Sequence, residues 1–598
     1  MAHDQPNTGA SSSETTAAIF LFLISVVLFV LRGYSPWGWP SLDMAYYYVE
    51  VQTPGFINGD FVTGCFSSDN GRALFGRLTD WPIRLGLEWD QSLYLWMYLN
   101  SALLPLTLFL GLGSILPRDL PALRPILFVF VLAAIAEPEK IQRFSVAWWQ
   151  GWGYYFHPSL LSLSAFFGGL FLTSLKLRRF IILGYLCIFL SALLHPAFAI
   201  GASIFVMIIS IAKRGGWALG GKTVATVLAG AIFLKLNSAS GALSAQEYVQ
   251  YFVNLHPEHY LPTRFFPLGP DYWYDPVWFL MVWFLVASTV LFLSSRRYLS
   301  ILPLGFSLYY GGSLLAQYAL VELYPVSTTI ILLSPSRFLA FGYWMFVVSV
   351  SLMISVVLAD CIALSRPSSQ EEPAPSKRVL YLQLGLIVLT AVVFHEVMRG
   401  FDEIVALIVF ILLIGLAIKF LARPLLVRVS QPVLPISAGS IFLVGVVLLS
   451  VGAPWALRHQ KKDTAFLSQH DRAVIDWIAE NTKPGDEIAA PVKLSIVIPL
   501  ISGRGTYSGN GFPFADMCLR ENFVRYVNLR GDPSGSEGRS ASASYYAALE
   551  LSQFETFVPL PDWVIMLASD AVANGSIAEA KPTYNAGGWV VFKNNGSR

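Results

Sequence analysis

Charge is scarce in this chain. Only 13% of its 598 residues are Asp, Glu, Lys or Arg, while 55% are hydrophobic; soluble domains carry about 25% charged residues. That shortage, with a mean hydropathy of +0.57, excludes an ordinary soluble domain and predicts a polytopic membrane protein. The charges nearly cancel, to a formal +2 at neutral pH, so no basic stripe speaks for nucleic acid as a partner. Cysteine is also rare: four residues, with no CxxC and no Cys/His spacing, which excludes a zinc site and a disulfide framework. Cys65 and Cys518 fall in segments expected outside the membrane, where a bridge and two unpaired thiols are both open readings. The leading "MAHDQPNTGASSSETT" has no Lys or Arg, so it lacks the basic region of a cleavable signal peptide and is expected to remain as a disordered tail, 1–16.

What the chain does have is long apolar runs. A membrane-crossing helix needs about 20 apolar residues, because every backbone group must be bonded within the segment. On that basis about thirteen spans are expected. They lie near Ala17 to Leu31, Ser92 to Leu112, Leu123 to Ala136, Ser159 to Leu175, Phe180 to Leu194, Phe198 to Ile211, Val224 to Leu236, Val277 to Leu293, Leu299 to Ala316, Phe338 to Val357, Val379 to His395, Ile404 to Phe420 and Ile436 to Val451. Lys and Arg in short loops favour the cytoplasm. With the N-terminus inside, every cytoplasmic connection is basic, as in Lys176, Arg178 and Arg179, or Arg296 and Arg297.

The fold expected is therefore mainly α: a polytopic helix bundle, N-in and C-out, with a small C-terminal extracytoplasmic α/β domain. The main bundle spans 17–362, with outer loops 32–90, 137–157, 237–275 and 317–337. A Pro/Ser/Glu-rich cytoplasmic linker, 363–378, cannot support a core and leads into three further spans over 379–451. The tail, 452–598, is long enough for an independent domain. In it, "HDRAVIDWIAEN" has helical spacing, a Lys-Pro-Gly turn and a short strand follow, "SASYYAALELSQF" reads as a helix, and "WVIMLAS" and "WVVFKN" read as strands. Nothing in the tail is a Gly-rich phosphate loop.

Intramembrane charge is nearly absent, and no two halves repeat, which argues against an ion-coupled transporter. The ionisable residues gather in the outer loops instead. The stretch "WPSLDMAYYYVEVQTPGFINGDF" places Asp43, Glu50 and Asp60 just after the first span. On a helix over "LDMAYYYVEV", Asp43 and Glu50 would lie two turns apart on one face. A carboxylate held at that depth, in a partly dry site, can act as a base. "GRALFGRLTDWPIRLGLEW" mixes Arg with apolar residues as an interfacial helix does. Among outer cations, Lys140, Arg143, Arg264 and Arg337 are candidates for a lipid phosphate, whose geometry the guanidinium fork matches; for Arg337, in "SPSRFLAFGYW", anchoring at the headgroups is the competing role. Trp149, Trp152, Tyr155 and His157 of "AWWQGWGYYFHP" are candidate substrate-lining residues, against a general aromatic belt. His195 of "LLHPAF" lines the same side or caps a helix hairpin.

These features together, and "SALLHPAF", "SPSRFLAFGYW" and "IDWIAENTKPGDEIAAP" in particular, resemble the GT-C superfamily of membrane glycosyltransferases, closest to bacterial members without an assigned role. The resemblance implies transfer of a sugar from a polyisoprenyl-phosphate carrier to a glycan, lipid or protein outside a bacterial cytoplasmic membrane. It also implies an acidic residue of the first outer loop as base: Asp43 by position, then Asp60, then Glu50. "WWQGW" departs from the WWD of oligosaccharyltransferases, and no paired acids follow the first span, so acceptor and metal dependence stay open. No cofactor is required, and a divalent metal is unsupported. The alternatives are a polysaccharide polymerase or ligase using lipid-linked oligosaccharide, and a lipid or glycan translocator without catalysis.

Overall fold

The computed structural model describes residues 12–32, 73–87, 89–117, 119–120, 122–136, 158–175, 177–212, 216–237, 243–255, 260, 274–364, 383, 385, 467–495, 497–508, 516–531 and 541–594. All ten apolar runs expected between Ala17 and Val357 are helical. They form α1 (Ser12–Arg32), α3 (Trp89–Ile115), α4 (Leu123–Ala136), α5 (Pro158–Ser174), α6 (Arg178–Leu194), α7 (Pro196–Ala212), α8 (Trp217–Asn237), α10 (Tyr274–Phe292), α11 (Ile301–Gln317) and α13 (Gly342–Leu364). Between them lie α2 (Ala73–Arg84), the helix expected at the interface, α9 (Ala245–Tyr251) and α12 (Thr328–Leu333). Among the described residues, five segments are long and apolar enough to cross a membrane: Glu14–Leu31, Tyr94–Ile115, Trp217–Leu236, Arg297–Leu323 and Thr328–Val357. The seventh helix begins at Trp217, well before the expected Val224, because "WALGGKT" carries glycines that dilute its apolar signal. The last three expected spans lie outside the described residues, apart from Gln383 and Gly385. Gln383 is buried and donates from Nε2 to the carbonyl of Val290 at 3.1 Å.

Close packing of α5 on α6 depends on two glycines. A Cβ at Gly169 would stand 2.5 Å from the carbonyl oxygen of Gly184, and a Cβ at Gly184 would stand 2.6 Å from that of Gly169. The backbones therefore meet directly, and Ser162 Oγ donates across to the carbonyl of Ser191 at 2.8 Å. Small residues at such crossings replace the hydrophobic drive that apolar surroundings cannot supply.

The two ends of the bundle are built differently. At one end, polar staples join helix termini: Glu14 to Arg124 at 2.5 Å, Asp119 to Arg296, and buried Asp360 accepting from the Ser295 hydroxyl and, at 3.4 Å, the Ser295 N–H. At the other end, Phe29, Phe75, Met97 and Leu194 share one buried apolar cluster with Val474, Ile475, Ile488, Trp563 and Trp589 of the tail. The tail thus packs where α1 and α6 finish and α3 begins.

Within the tail, α14 (Gln469–Asn481) precedes a five-stranded mixed sheet. Its strands are β1 (Glu487–Ala489), β2 (Gly505–Thr506), β3 (Trp563–Leu567), β4 (Tyr584–Ala586) and β5 (Trp589–Lys593), in the order β2-β1-β3-β5-β4. β1 runs parallel to β2 and β3, and β5 is antiparallel to β3 and β4. Side chains alternate between faces with period two. Trp563, Ile565, Trp589 and Val591 accordingly face the bundle-side cluster, while Val564, Met566, Val590 and Phe592 face a second core with Tyr507, Leu529, Tyr546 and Phe554. "SASYYAALELSQF", expected as one helix, is two: Ala541–Ala548 and Leu551–Phe554. The break falls where Asn574 Nδ2 donates to the carbonyls of Ala547 (3.3 Å) and Leu549 (2.6 Å), and where Glu550 and Gln553 form a new capping box.

Asp471 joins three elements of the tail. Its carboxylate accepts from the Ser468 N–H at 2.8 Å, Lys493 Nζ at 2.6 Å and Trp589 Nε1 at 3.0 Å. Burial penalises the charge, but Lys493 and the two groups of Ser468 outweigh it and hold the carboxyl below its ordinary value. In the unfolded chain the carboxyl binds its proton more readily, so this contribution is full above the ordinary carboxylate range, about pH 4, and fades as pH falls through the depressed native value. The protection factors of β5 amides, exchange rates taken relative to the intrinsic rate at each pH, should therefore fall below about pH 4 in the wild-type chain in detergent, and Asp471→Asn should flatten that dependence. In the bundle, Gly184→Val should lower the thermal unfolding temperature measured in detergent, with an overpacking cost of about 1–3 kcal/mol.

Candidate functional site

The most irregular backbone of the bundle lies at its tail-facing end, between α11 and α13. After Gln317 the helix widens into a π turn, Tyr318–Leu323, a feature frequent at functional sites. α12 follows and stops at Ser334, whose φ of 45° is in the left-handed region. Ser334 is the only non-glycine residue there among the described residues; such a residue costs on the order of 1–3 kcal/mol and survives only where neighbours fix it. A short 3₁₀ segment, Pro335–Phe341, then carries Arg337 into α13.

What fixes this turn is Gln317, fully buried at the end of α11. Its Oε1 accepts from the Ser336 N–H at 3.0 Å and the Ser334 hydroxyl at 3.3 Å. Its Nε2 donates to the carbonyl of Tyr260 at 2.6 Å. The hydroxyls of Ser334 and Ser336 lie 2.9 Å apart, within hydrogen-bond distance of each other. The buried polar groups are thus closed on one another, as a low-dielectric site demands. One level down, the Tyr309 hydroxyl reaches the carbonyls of Gly201 (3.1 Å) and Phe338 (3.4 Å), tying α7 and α11 to the 3₁₀ segment. A Cβ at Gly201 would stand 2.9 Å from Phe341 and 3.1 Å from both Phe338 and Tyr309, so only glycine fits.

Arg337 stands at the rim of this knot, partly exposed. Nη2 donates to the Tyr260 hydroxyl at 2.8 Å, Nη1 donates to the Leu332 carbonyl at 3.3 Å, and the guanidinium lies 5.5 Å from the centre of the Tyr260 ring. A guanidinium has five N–H donors. Three of these have no protein acceptor, and no carboxylate pairs with Arg337, among the described residues. A fixed, partly desolvated cation with open donors is a site for an anion, and bidentate binding to a phosphate or carboxylate is the geometry it favours.

The tail closes over this region. Leu519 is buried in one cluster with Tyr248, Phe252, Tyr260, Val321 and Ile331. Beside it, Arg520 pairs with Glu247 and lies 5.8 Å from the ring centre of Tyr251, and Phe523 meets Tyr251 edge-on at 5.6 Å. Glu247 is also the acid of a capping box on α9. The N–H and hydroxyl of Ser244, then Arg520, hold its carboxyl below the ordinary range.

Of the candidate site residues named from the sequence, two are described. Arg337 belongs to the site. His195 is buried between α6 and α7, where its Nδ1 accepts from the Phe198 N–H at 3.4 Å and its ring packs on Phe198. Asp43, Glu50, Asp60, Lys140, Arg143, Trp149, Trp152, Tyr155, His157 and Arg264 lie outside the described residues, as does Cys65. The sequence reading missed Tyr260, Gln317, Ser334 and Ser336. Gln317 offered one signal, an uncharged amide closing an apolar run. Ser334 offered none, since the residue before a proline is expected to be extended. No group of three or more His, Cys, Asp or Glu is gathered for a metal among the described residues. Set against known proteins, the chain matches no family model and no curated protein.

The ion pair between tail and loop is exposed, so its role is registry more than stability. Arg520→Glu should speed hydrogen exchange across α9, whereas Arg520→Lys, which keeps the charge and leaves the Glu247 cap intact, should retain most of the protection.

Proposed function

We propose that the chain is an integral-membrane glycosyltransferase of the GT-C kind. It takes a sugar from a polyisoprenyl-phosphate carrier and passes it to a glycan, lipid or protein acceptor outside a bacterial cytoplasmic membrane. The observation that carries this reading is Arg337, a guanidinium held by Tyr260 and Leu332 with three donors open among the described residues. It sits at the end of apolar helices, where the phosphate of a membrane-anchored carrier would lie. The basic short loops support a topology with the N-terminus inside and the tail outside.

In this mechanism Arg337 binds the donor phosphate, with Lys140, Arg143 or Arg264 as a second cation. Asp43 is the base, with Asp60 and Glu50 as its neighbours in the first outer loop. The acceptor hydroxyl gives its proton to the carboxylate while its oxygen attacks the anomeric carbon. The bond from that carbon to the phosphate oxygen breaks, and the electron pair leaves with the polyisoprenyl phosphate. Arg337 meets the charge that develops there, the kind of preorganised stabilisation that contributes most to catalysis. Trp149, Trp152, Tyr155 and His157 line the sugar and acceptor.

Transfer from a polyisoprenyl-phosphate sugar to acceptor, followed in proteoliposomes, tests the reading. Asp43→Asn should lower turnover by about 10²–10⁴, and Arg337→Ala should weaken donor use while Arg337→Lys keeps part of it. Full transfer by Asp43→Asn removes Asp43 from the mechanism. Donor that crosses the bilayer with no covalent transfer would replace the enzyme with a translocator, and a requirement for oligosaccharide donors would make it a polymerase or ligase.

A further inference from the structure

Gln317 touches both things that decide where the Arg337 fork points. Through Oε1 it holds the backbone of the turn that carries Arg337, by the Ser336 N–H at 3.0 Å and the Ser334 hydroxyl at 3.3 Å. Through Nε2 it holds the carbonyl of Tyr260 at 2.6 Å, and the hydroxyl of that same tyrosine accepts from Arg337 Nη2 at 2.8 Å. The base of the arginine and the acceptor at its tip are therefore registered against one buried amide. Arg337 itself makes the second link between the two segments, through the Tyr260 hydroxyl. The strained φ of 45° at Ser334 adds a second reason for such a clamp: a left-handed serine relaxes unless something over-determines the turn.

We infer that Gln317 is a positioning residue for the anion site: it sets the orientation of Arg337 toward the phosphate of a lipid carrier, working through Tyr260 and the Ser334 to Ser336 turn. The inference rests on the reading of Arg337 as the phosphate ligand. Gln317 is fully buried, so it does not meet the carrier itself. The buried tyrosine lends rigidity as well as an acceptor, because its ring lies under the guanidinium at 5.5 Å and is packed in the cluster that includes Leu519 of the tail. Phosphate recognition is thus built from three segments far apart in sequence: the loop holding Tyr260, the end of α11 and the turn before α13.

The test uses the whole chain in detergent and two probes, a short polyisoprenyl monophosphate and the polyisoprenol of equal length. The readout is the ratio of their affinities, because a purely structural defect lowers both alike. Wild type should prefer the phosphate, and Arg337→Ala should abolish the preference. Gln317→Met keeps length and volume but cannot donate and accepts only weakly; it should cut the preference roughly tenfold, the scale of one neutral intramolecular hydrogen bond. Tyr260→Phe keeps the ring and the carbonyl, and should cut it by a similar factor. The double variant should fall no further than the worse single one, because the two act along one route. Should Gln317→Met fail to fold, Gln317→Asn, which keeps the amide but withdraws it by one methylene from the Tyr260 carbonyl and the Ser336 N–H, takes its place. A preference intact in Tyr260→Phe, or in a folded Gln317→Met or Gln317→Asn, while Arg337→Ala loses it, overturns the positioning role and leaves Arg337 as ligand. No preference in the wild type overturns both.

Discussion

A polar group buried among apolar helices has no water to bond, and leaving it unpaired costs free energy comparable to a lost hydrogen bond. Most hydroxyls in the described helices meet this requirement locally, by donating to a carbonyl three or four residues earlier. Ser25, Ser164, Ser203, Ser313 and Ser355 all do so. Such bonds close within one turn and constrain nothing beyond it. The exceptions are therefore informative, because a polar group bonded to a distant segment fixes tertiary geometry. Gln317 and Tyr309 are of that kind, and both converge on the turn that carries Arg337. Tyr343 is another, donating to the carbonyl of Phe130 at 2.9 Å and so binding α13 to α4.

The same requirement explains the contrast between the two ends. Ion pairs and the buried Asp360 close one end of the bundle, where helix termini meet in short connections. At the other end the helices hand over to a folded tail, and an apolar cluster continues from Phe29 and Met97 into the sheet. The tail is thereby an extension of the bundle's core and holds the surroundings of Tyr260 through Leu519. A bundle without that cover would expose the apolar ends of α1, α3 and α6, together with the aromatic side chains of α9.

Helices and strands were legible in the sequence where a period repeats. The apolar runs announced ten helices, and the short unbroken apolar runs in "WVIML" and "WVVFK" announced β3 and β5, because burial on both faces selects β-branched and aromatic residues. The boundaries were less legible where glycine or a distant partner intervenes, as at Trp217 and at the break after Ala548. Arg337 was legible as a cation after an outer loop. Its supports were not, since Tyr260 and Gln317 are 57 positions apart and no local pattern links an amide to a carbonyl across that gap. The left-handed Ser334 was the least legible of all, because it stands against the preference of a residue preceding proline.

The tail's sheet ends in very short strands: β2 contributes two residues at one edge and β4 three at the other. An edge of that length offers few unpaired backbone groups to a neighbouring chain. Concentrated side by side in one membrane, with their tails crowded on one surface, copies of this protein would have little opportunity to zip together strand against strand. At the described edges, association between tails would rest on side chains, which can be specific, more than on backbone, which cannot.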